Sequence, residues 1–207
     1  MGLIKDKVGP ALYDFFGRRL EKEFGDRRQA VLAHARGRVL EIGAVTGFNL
    51  AHYPPEVEEI VITEPAPGML RRAEQKAATL DSPVRSVKAP AEQLPFDDGT
   101  FDTVVSTLVL CSVDDQDRAL AEVRRVLKRG GRLLFIEHVR SDDPRLARWQ
   151  DRWERPWKVI ATGCHPNRPT LERIKAAGFE IEEFEHGELP KSPPITRPMI
   201  AGHAVRA

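Results

Sequence analysis

The period of the apolar residues changes repeatedly along this chain. Leu12, Phe15, Phe16, Leu20 and Phe24 recur at helical spacing and predict helix from the start to about residue 36. Gly37 breaks that pattern, and Arg38 to Gly43 (RVLEIG) reads as a short buried strand ending in a glycine turn. Phe48 to Tyr53 predicts a helix stopped by Pro54 and Pro55, and Glu59 to Thr63 a second β-rich run. Ala66 to Leu80 is helical in pattern, Val84 to Lys88 a weaker strand, and Phe101 to Leu108 (FDTVVSTL) a strongly apolar strand. Asp114 to Leu127 places Leu120, Val123, Val126 and Leu127 on one helical face. Arg129-Gly130-Gly131 then leads to a strand from Arg132 to Val139. Arg145 to Ile160 predicts a helix that Pro156 should end or kink, and Pro169 to Ala177 one closed by Gly178. Phe179 to Glu185 and Met199 to Val205 are the last strand candidates, joined by a proline-rich connector.

Strands alternating with helices predict βαβ units and a parallel sheet. The late strand pair adds an antiparallel edge strand. The expected fold is therefore α/β, a Rossmann-like doubly wound sheet of seven strands, mostly parallel, with helices on both faces. A length of 207 residues fits one domain. Within it we expect a helical cap at 1–36, a binding core at 37–140, a second helical cap on the acceptor side at 141–178, and strands at 179–207.

Charge adds mainly exclusions. A net charge of +1 offers no field that would gather nucleic acid. The beginning of the sequence is broken by charges and Pro10, so it predicts neither a signal peptide nor a membrane span. Cys111 and Cys164 form no CxxC pair, so neither a disulfide scaffold nor a cysteine zinc site is expected, and no metal ligand set is legible. The reading is a reduced, cytoplasmic protein.

The candidate chemistry begins at the glycine turn. Glu41-Ile-Gly43-Ala-Val-Thr-Gly47 follows a strand and precedes a helix, where glycine lets backbone approach a ligand closely. In an open parallel sheet ligands bind at the carboxyl ends of the strands. Glu64 closes the next strand, where an acid can accept hydrogen bonds from both ribose hydroxyls. Two glycines do not make the GxGxxG fingerprint, no GK[ST] follows, and no basic residue lies in the turn. A ligand with a ribose but no pyrophosphate fits better than a dinucleotide. A plain α/β turn remains the alternative.

VLEIGAVTGFNL (39–50), ITEPAPGML (62–70), AEQLPFDDGTFDTVV (91–105) and LKRGGRLLFIEHV (127–139) resemble, in order, the motifs of class I methyltransferases that use S-adenosylmethionine (SAM). TLVLCSV (107–113), IEHV (136–139), GCHPNR (163–168) and the ending RPMIAGHAV resemble a narrower group. That group holds the membrane-anchored thiol S-methyltransferases of animals and soluble bacterial relatives, which are often grouped with phosphatidylethanolamine and quinone methyltransferases. The resemblance implies SAM as cofactor. It implies that Glu41 orients the turn and the amino group of the methionine part, with Gly43, Ala44, Gly47 and Asn49 under the ligand. Glu64 would hold the ribose, Pro65 or Met69 would lie against adenine, and Ala91 and Glu92 would sit by its amino group. Thr107 and Leu108 would face the methionine and the methyl being transferred. The family usually has glycine where this chain has Val45, so the turn is expected to keep ordinary β or α angles there. The apolar membrane anchor of the animal enzymes has no counterpart, so integral membrane attachment does not transfer.

A sulfonium methyl is already activated, so no universal catalytic residue is required; the protein aligns the partners and excludes water. If the acceptor is a thiol it reacts as thiolate, which calls for a base. His138, at the carboxyl end of the fifth strand, is the first candidate, and His165, in a glycine- and proline-flanked loop, the second. His138 could equally be structural, and His165 reads more simply as an exposed loop residue. Cys111 suits pocket lining or packing; a Cys111–Cys164 pair holding a soft ion is conceivable but lacks a third anchor. Trp149 and Trp153 lie four apart among arginines. They read as a cap over an apolar acceptor, a face for peripheral membrane contact, or core packing. The expected acceptors are a small thiol, a lipid amine or a quinol. The other classes open at this point are a non-catalytic nucleoside-binding module and an NAD(P) reductase. No lysine stands four residues after Tyr13 or Tyr53, against the reductase.

Overall fold

The computed structural model describes residue 21 and residues 24–80, 83–161, 163–189 and 191–207. Leu12, Phe15, Phe16 and Leu20 of the expected first helix lie outside the described residues.

Helix α1 (24–32) precedes strand β1 (Gly37–Ile42), β2 (Val57–Thr63), α2 (Pro67–Ala77), β3 (Val84–Val87) and β4 (Phe101–Thr107). There follow α3 (Gln116–Val126), β5 (Leu127–His138), α4 (Pro144–Ile160), α5 (Thr170–Ala176), β6 (Phe179–Glu188) and β7 (Pro198–Arg206). The seven strands form one sheet in the order β3-β2-β1-β4-β5-β7-β6. β1 to β5 pair in parallel, and β7 runs antiparallel to both β5 and β6. The antiparallel strand thus lies one place in from the edge, with β6 outside it.

Alternation along the strands builds two layers of core, one on each face. Leu40, Ile42, Val61, Val104, Leu133 and Phe135 pack with Leu120 and Val123 of α3 and with Leu171 and Ile174 of α5. Val39, Val105 and Leu134 point the other way and meet Leu32 of α1. Ile60 and Ile62 meet Leu70 and Ala73 of α2 on that second face. Each fully buried Val, Leu, Ile or Phe contributes roughly 1.5–3 kcal/mol, so these layers supply the main drive for folding.

Several boundaries differ from the sequence expectation. Phe48 to Tyr53 forms only a short 3-10 turn, Asn49–His52, before the proline pair. Helix α3 ends at Val126, because Leu127 already pairs with Phe101 and opens β5; the Gly130-Gly131 stretch lies inside the strand. α4 does not end at Pro156 but runs on to Ile160. The carbonyl that loses its helical partner there belongs to Arg152, an exposed residue, so water can satisfy it. α4 is fastened by Gln150, which is fully buried. Its Nε2 donates to the carbonyls of Val139 (3.1 Å), Pro166 (2.8 Å) and Ile195 (2.9 Å), and its Oε1 accepts from Ser141 N–H (2.8 Å). Among the described residues no helix is long and apolar enough to cross a membrane.

Candidate functional site

The carboxyl ends of β1, β2 and β4 meet at the glycine turn. Gly43 (φ 59°) and Gly47 (φ 75°) are left-handed. A Cβ on Gly43 would lie 2.7 Å from Val109, and one on Gly47 would lie 2.8 Å from Leu50, so glycine serves close packing as well as conformation. Val45 overturns the expectation of ordinary angles: its φ is 50°. That conformation costs an L residue roughly 1–2 kcal/mol. It aims the Val45 N–H at Glu64 Oε2 (3.1 Å), and a hydrogen bond to a charged group, worth about 1.5–3 kcal/mol, offsets the strain.

Glu64 is buried at the end of β2, and its Oε1 accepts from Ala66 N–H (2.9 Å). Burial raises its pKa, against the two backbone donors that favour the charged form. A carboxylate has about four acceptor positions, so two remain after these bonds. That is the number a ribose diol needs.

Glu41 sits deeper, on the α1 face of β1. Its Oε1 accepts from Asn49 Nδ2 (3.0 Å) and its Oε2 from the Tyr53 hydroxyl (2.8 Å). Asn49 also donates to Thr107 Oγ1 (3.1 Å), and its Oδ1 accepts from Arg28 of α1. Burial pushes the Glu41 carboxyl up to about 7, although Tyr53, Arg28 and Asn49 all pull it down. Arg28, Glu41, Gly43, Ala44, Val45, Phe48, Asn49, Thr107 and Leu108 line one crevice. It holds a carboxylate and a guanidinium side by side. The guanidinium is itself held by Glu21, Nε donating to Oε1 (3.0 Å) and an Nη to Oε2 (3.2 Å).

The far wall is the loop after β4. Leu108 is left-handed (φ 57°), and its N–H bonds to the Ile136 carbonyl (2.7 Å). The fully buried Glu137 holds the loop from behind. It accepts from the Ser106 hydroxyl (2.6 Å) and from the N–H groups of Val109 (3.1 Å), Leu110 (3.1 Å) and Cys111 (3.3 Å). Sequence reasoning missed Arg28, Tyr53 and Glu137. Glu137 had a signal, an acid inside an otherwise apolar strand; Arg28 and Tyr53 had none.

The other expected site residues scatter. Ala44 is buried, with its N–H on the Thr63 carbonyl (2.9 Å). Pro65 is exposed, Met69 half-buried and Ala91 buried. Glu92 Oε1 accepts from Asp114 N–H (2.8 Å) and Asp115 N–H (3.3 Å), at the entry to α3. His138 shares the α1 face with Leu134 and Ile136, by strand parity. It is buried, its ring bonds to the Thr196 backbone, and its Nδ1 has no partner. Burial pushes its pKa down to about 4, so the ring is neutral near pH 7.

His165 lies apart from the crevice lining. Its Nδ1 is 2.6 Å from Glu154 of α4, and its N–H bonds to the Cys111 carbonyl (2.7 Å). Cys111 and Cys164 are both free and buried, with their thiols hydrogen-bonded to each other. Trp149 and Trp153 are 43% and 44% exposed, which removes the core-packing reading for both.

Glu41 lies in the crevice beside Arg28, and Glu64, with two acceptor positions left, stands next to it through its bond to the Val45 N–H. Residues 40–135 match the family model described as a methyltransferase domain. A human thiol S-methyltransferase is 34% identical, over 81% of this chain and 70% of the human protein. A phosphatidylethanolamine N-methyltransferase of Cereibacter sphaeroides is 37% identical, over 66% of this chain and 68% of that protein. Among solved structures, a geranyl diphosphate methyltransferase in complex with SAM superposes with a TM-score of 0.72 at 15% identity, over 92% of this chain and 87% of that one; this likeness concerns the fold. With motifs running in order from β1 to β5 and relatives at this identity and coverage, the chain belongs to the class I SAM-dependent methyltransferases and is an enzyme of that family.

Proposed function

We propose that the protein transfers the methyl group of SAM to a small apolar acceptor, with thiol sulfur the first choice and a lipid amine or a quinol carbon the second. The observation that carries the reading is the buried His138 Nδ1, a lone pair with no partner at the carboxyl end of β5. It shares the α1 face of the sheet with Glu41. The thiol preference is supported by the likeness to the human thiol S-methyltransferase.

SAM supplies a sulfonium whose methyl is already activated for transfer. Glu64 would hold the ribose hydroxyls, Glu41 would meet the amino group of the methionine part, and Arg28, held by Glu21 and Asn49, would lie beside its carboxylate. Leu108 and the loop that Glu137 orders exclude water from the reacting atoms. Such positioning supplies roughly 7–11 kcal/mol in favourable cases. His138 Nδ1 takes the acceptor's proton as the new S–C bond forms and the old C–S bond breaks. A thiol of pKa about 8.5 does not pass its proton first to an imidazole near 4, since that step alone costs about 6 kcal/mol. His138 would therefore take the proton only as methyl transfer proceeds, and the weakly basic ring would afterwards release it to water.

The test is methyl-labelled SAM incubated with small thiols, phosphatidylethanolamine vesicles and quinols. Thiols should be labelled fastest. His138→Ala should lower the thiol rate by roughly 100-fold at pH 7 and approach the native rate above the thiol pKa of about 8.5, where thiolate forms unaided. An equal loss at every pH removes His138 as the base. In calorimetry, S-adenosylhomocysteine should bind and NADH should not. Glu64→Ala should weaken that binding by at least ~100-fold, and an unchanged affinity would show that the ribose lies elsewhere.

A further inference from the structure

Three ligating side chains far apart in sequence converge on the sheet face that carries α1, behind the β6–β7 edge. His34 lies two residues beyond α1, His203 is buried at the middle of β7, and Glu183 is its exposed cross-strand partner on β6. Each offers one ligand atom, and these atoms lie within 4.8 Å of one another. The two imidazoles stack, with centroids 4.4 Å apart and planes 30° from parallel. A shift of register between Ile181 and Glu183 adds Glu182, whose Oε2 is 3.1 Å from His203 Nε2. Arg132 already engages Glu182 at 3.2 Å, which leaves Glu183 as the available carboxylate.

Zinc is bound by imidazole nitrogen and carboxylate oxygen at roughly 2.0–2.2 Å, which puts neighbouring ligand atoms about 3.3 Å apart in a tetrahedron. The present spread, up to 4.8 Å, is up to about 1.5 Å wider. Glu183 and His34 both have exposed side chains, free to rotate toward the buried His203. Two imidazoles select zinc, copper and nickel over magnesium, calcium and manganese. The exposed carboxylate gives an ion a path in.

We propose that His34, Glu183 and His203 form a transition-metal site, suited to Zn²⁺, that clips the end of α1 to the β6–β7 hairpin. Water completes the coordination. The consequence reaches the crevice: Arg28 lies on α1 under two turns before His34, so an ion there steadies the helix that delivers this guanidinium.

The experiment is thermal unfolding of the full chain with and without zinc chloride, together with titration against a chromophoric chelator. One zinc per chain is expected, and at 100 times its dissociation constant zinc should raise Tm by roughly 5–10 °C. His34→Ala, at an exposed position that tolerates truncation, and His203→Ala should each weaken zinc binding by at least ~100-fold. His186→Ala, outside the cluster, should leave it unchanged. The absence of a zinc-dependent rise overturns the proposal, as does an equal rise with magnesium chloride or in His34→Ala. A zinc effect abolished by Cys164→Ala instead also overturns it, by moving the ion to the buried thiols.

Discussion

Glu41→Gln tests the chemistry of the crevice and the thermodynamics of the fold at once. Burial moves the carboxyl from its ordinary 4.5 to about 7. An acid whose folded pKa is raised favours the folded state only while it is protonated. Its advantage is full below pH 4.5 and is lost as pH rises from there to about 7. Above pH 7 the buried charge costs about 3 kcal/mol relative to low pH. Glutamine keeps the shape and never carries that charge. Its Oε1 still accepts from Asn49, and its Nε2 donates to a Tyr53 hydroxyl whose proton has turned away. Urea denaturation should therefore find the variant within about 0.5 kcal/mol of the native protein at pH 4.5 and about 2–3 kcal/mol more stable at pH 8. Calorimetry at pH 8 should find weaker S-adenosylhomocysteine binding, because the amino group has lost its counter-charge. The protein would thus retain a destabilising acid for function. A stability difference that does not change with pH refutes the argument, since it would mean that Glu41 is not desolvated in the folded state.

Two further outcomes follow from the same contacts. Gly43→Ala should destabilise by about 2–4 kcal/mol, because its Cβ falls 2.7 Å from Val109 at a φ of 59°. Adding Val109→Ala should return the steric part, and urea titration of the single and double variants reads both. Gln150→Ala leaves the carbonyls of Val139, Pro166 and Ile195 and the Ser141 N–H without their partner, and should cost about 2–4 kcal/mol by the same assay. A cost below about 1 kcal/mol would show that water replaces the amide.

Residues that act through local pattern are legible in the order of amino acids alone. The switch between periods of two and 3.6 places β1, β2, β4 and β5 and the helices between them. Glycine punctuation places the turn at 43–47, and an acid at the end of an apolar run locates Glu64. These features are local because backbone sterics and side-chain alternation act over a few residues. Boundaries fail where a distant partner decides them. Leu127 leaves α3 because Phe101 is there to pair with it, and α4 passes Pro156 because the orphaned carbonyl lies on the exposed side.

The sequence by itself determined the doubly wound architecture, the glycine turn and the position of the acid that closes β2, since each follows from neighbouring residues. Only the tertiary structure decided what surrounds them. It twisted Val45 into the left-handed region to reach Glu64, brought Arg28 of α1 into the crevice with Glu41 of β1, and buried His138 so that its ring stays neutral. It also gathered His34, Glu183 and His203 from three elements. The physical reason is common to all of these: desolvation and Coulomb energy depend on distance and burial in space, which separation along the chain does not encode.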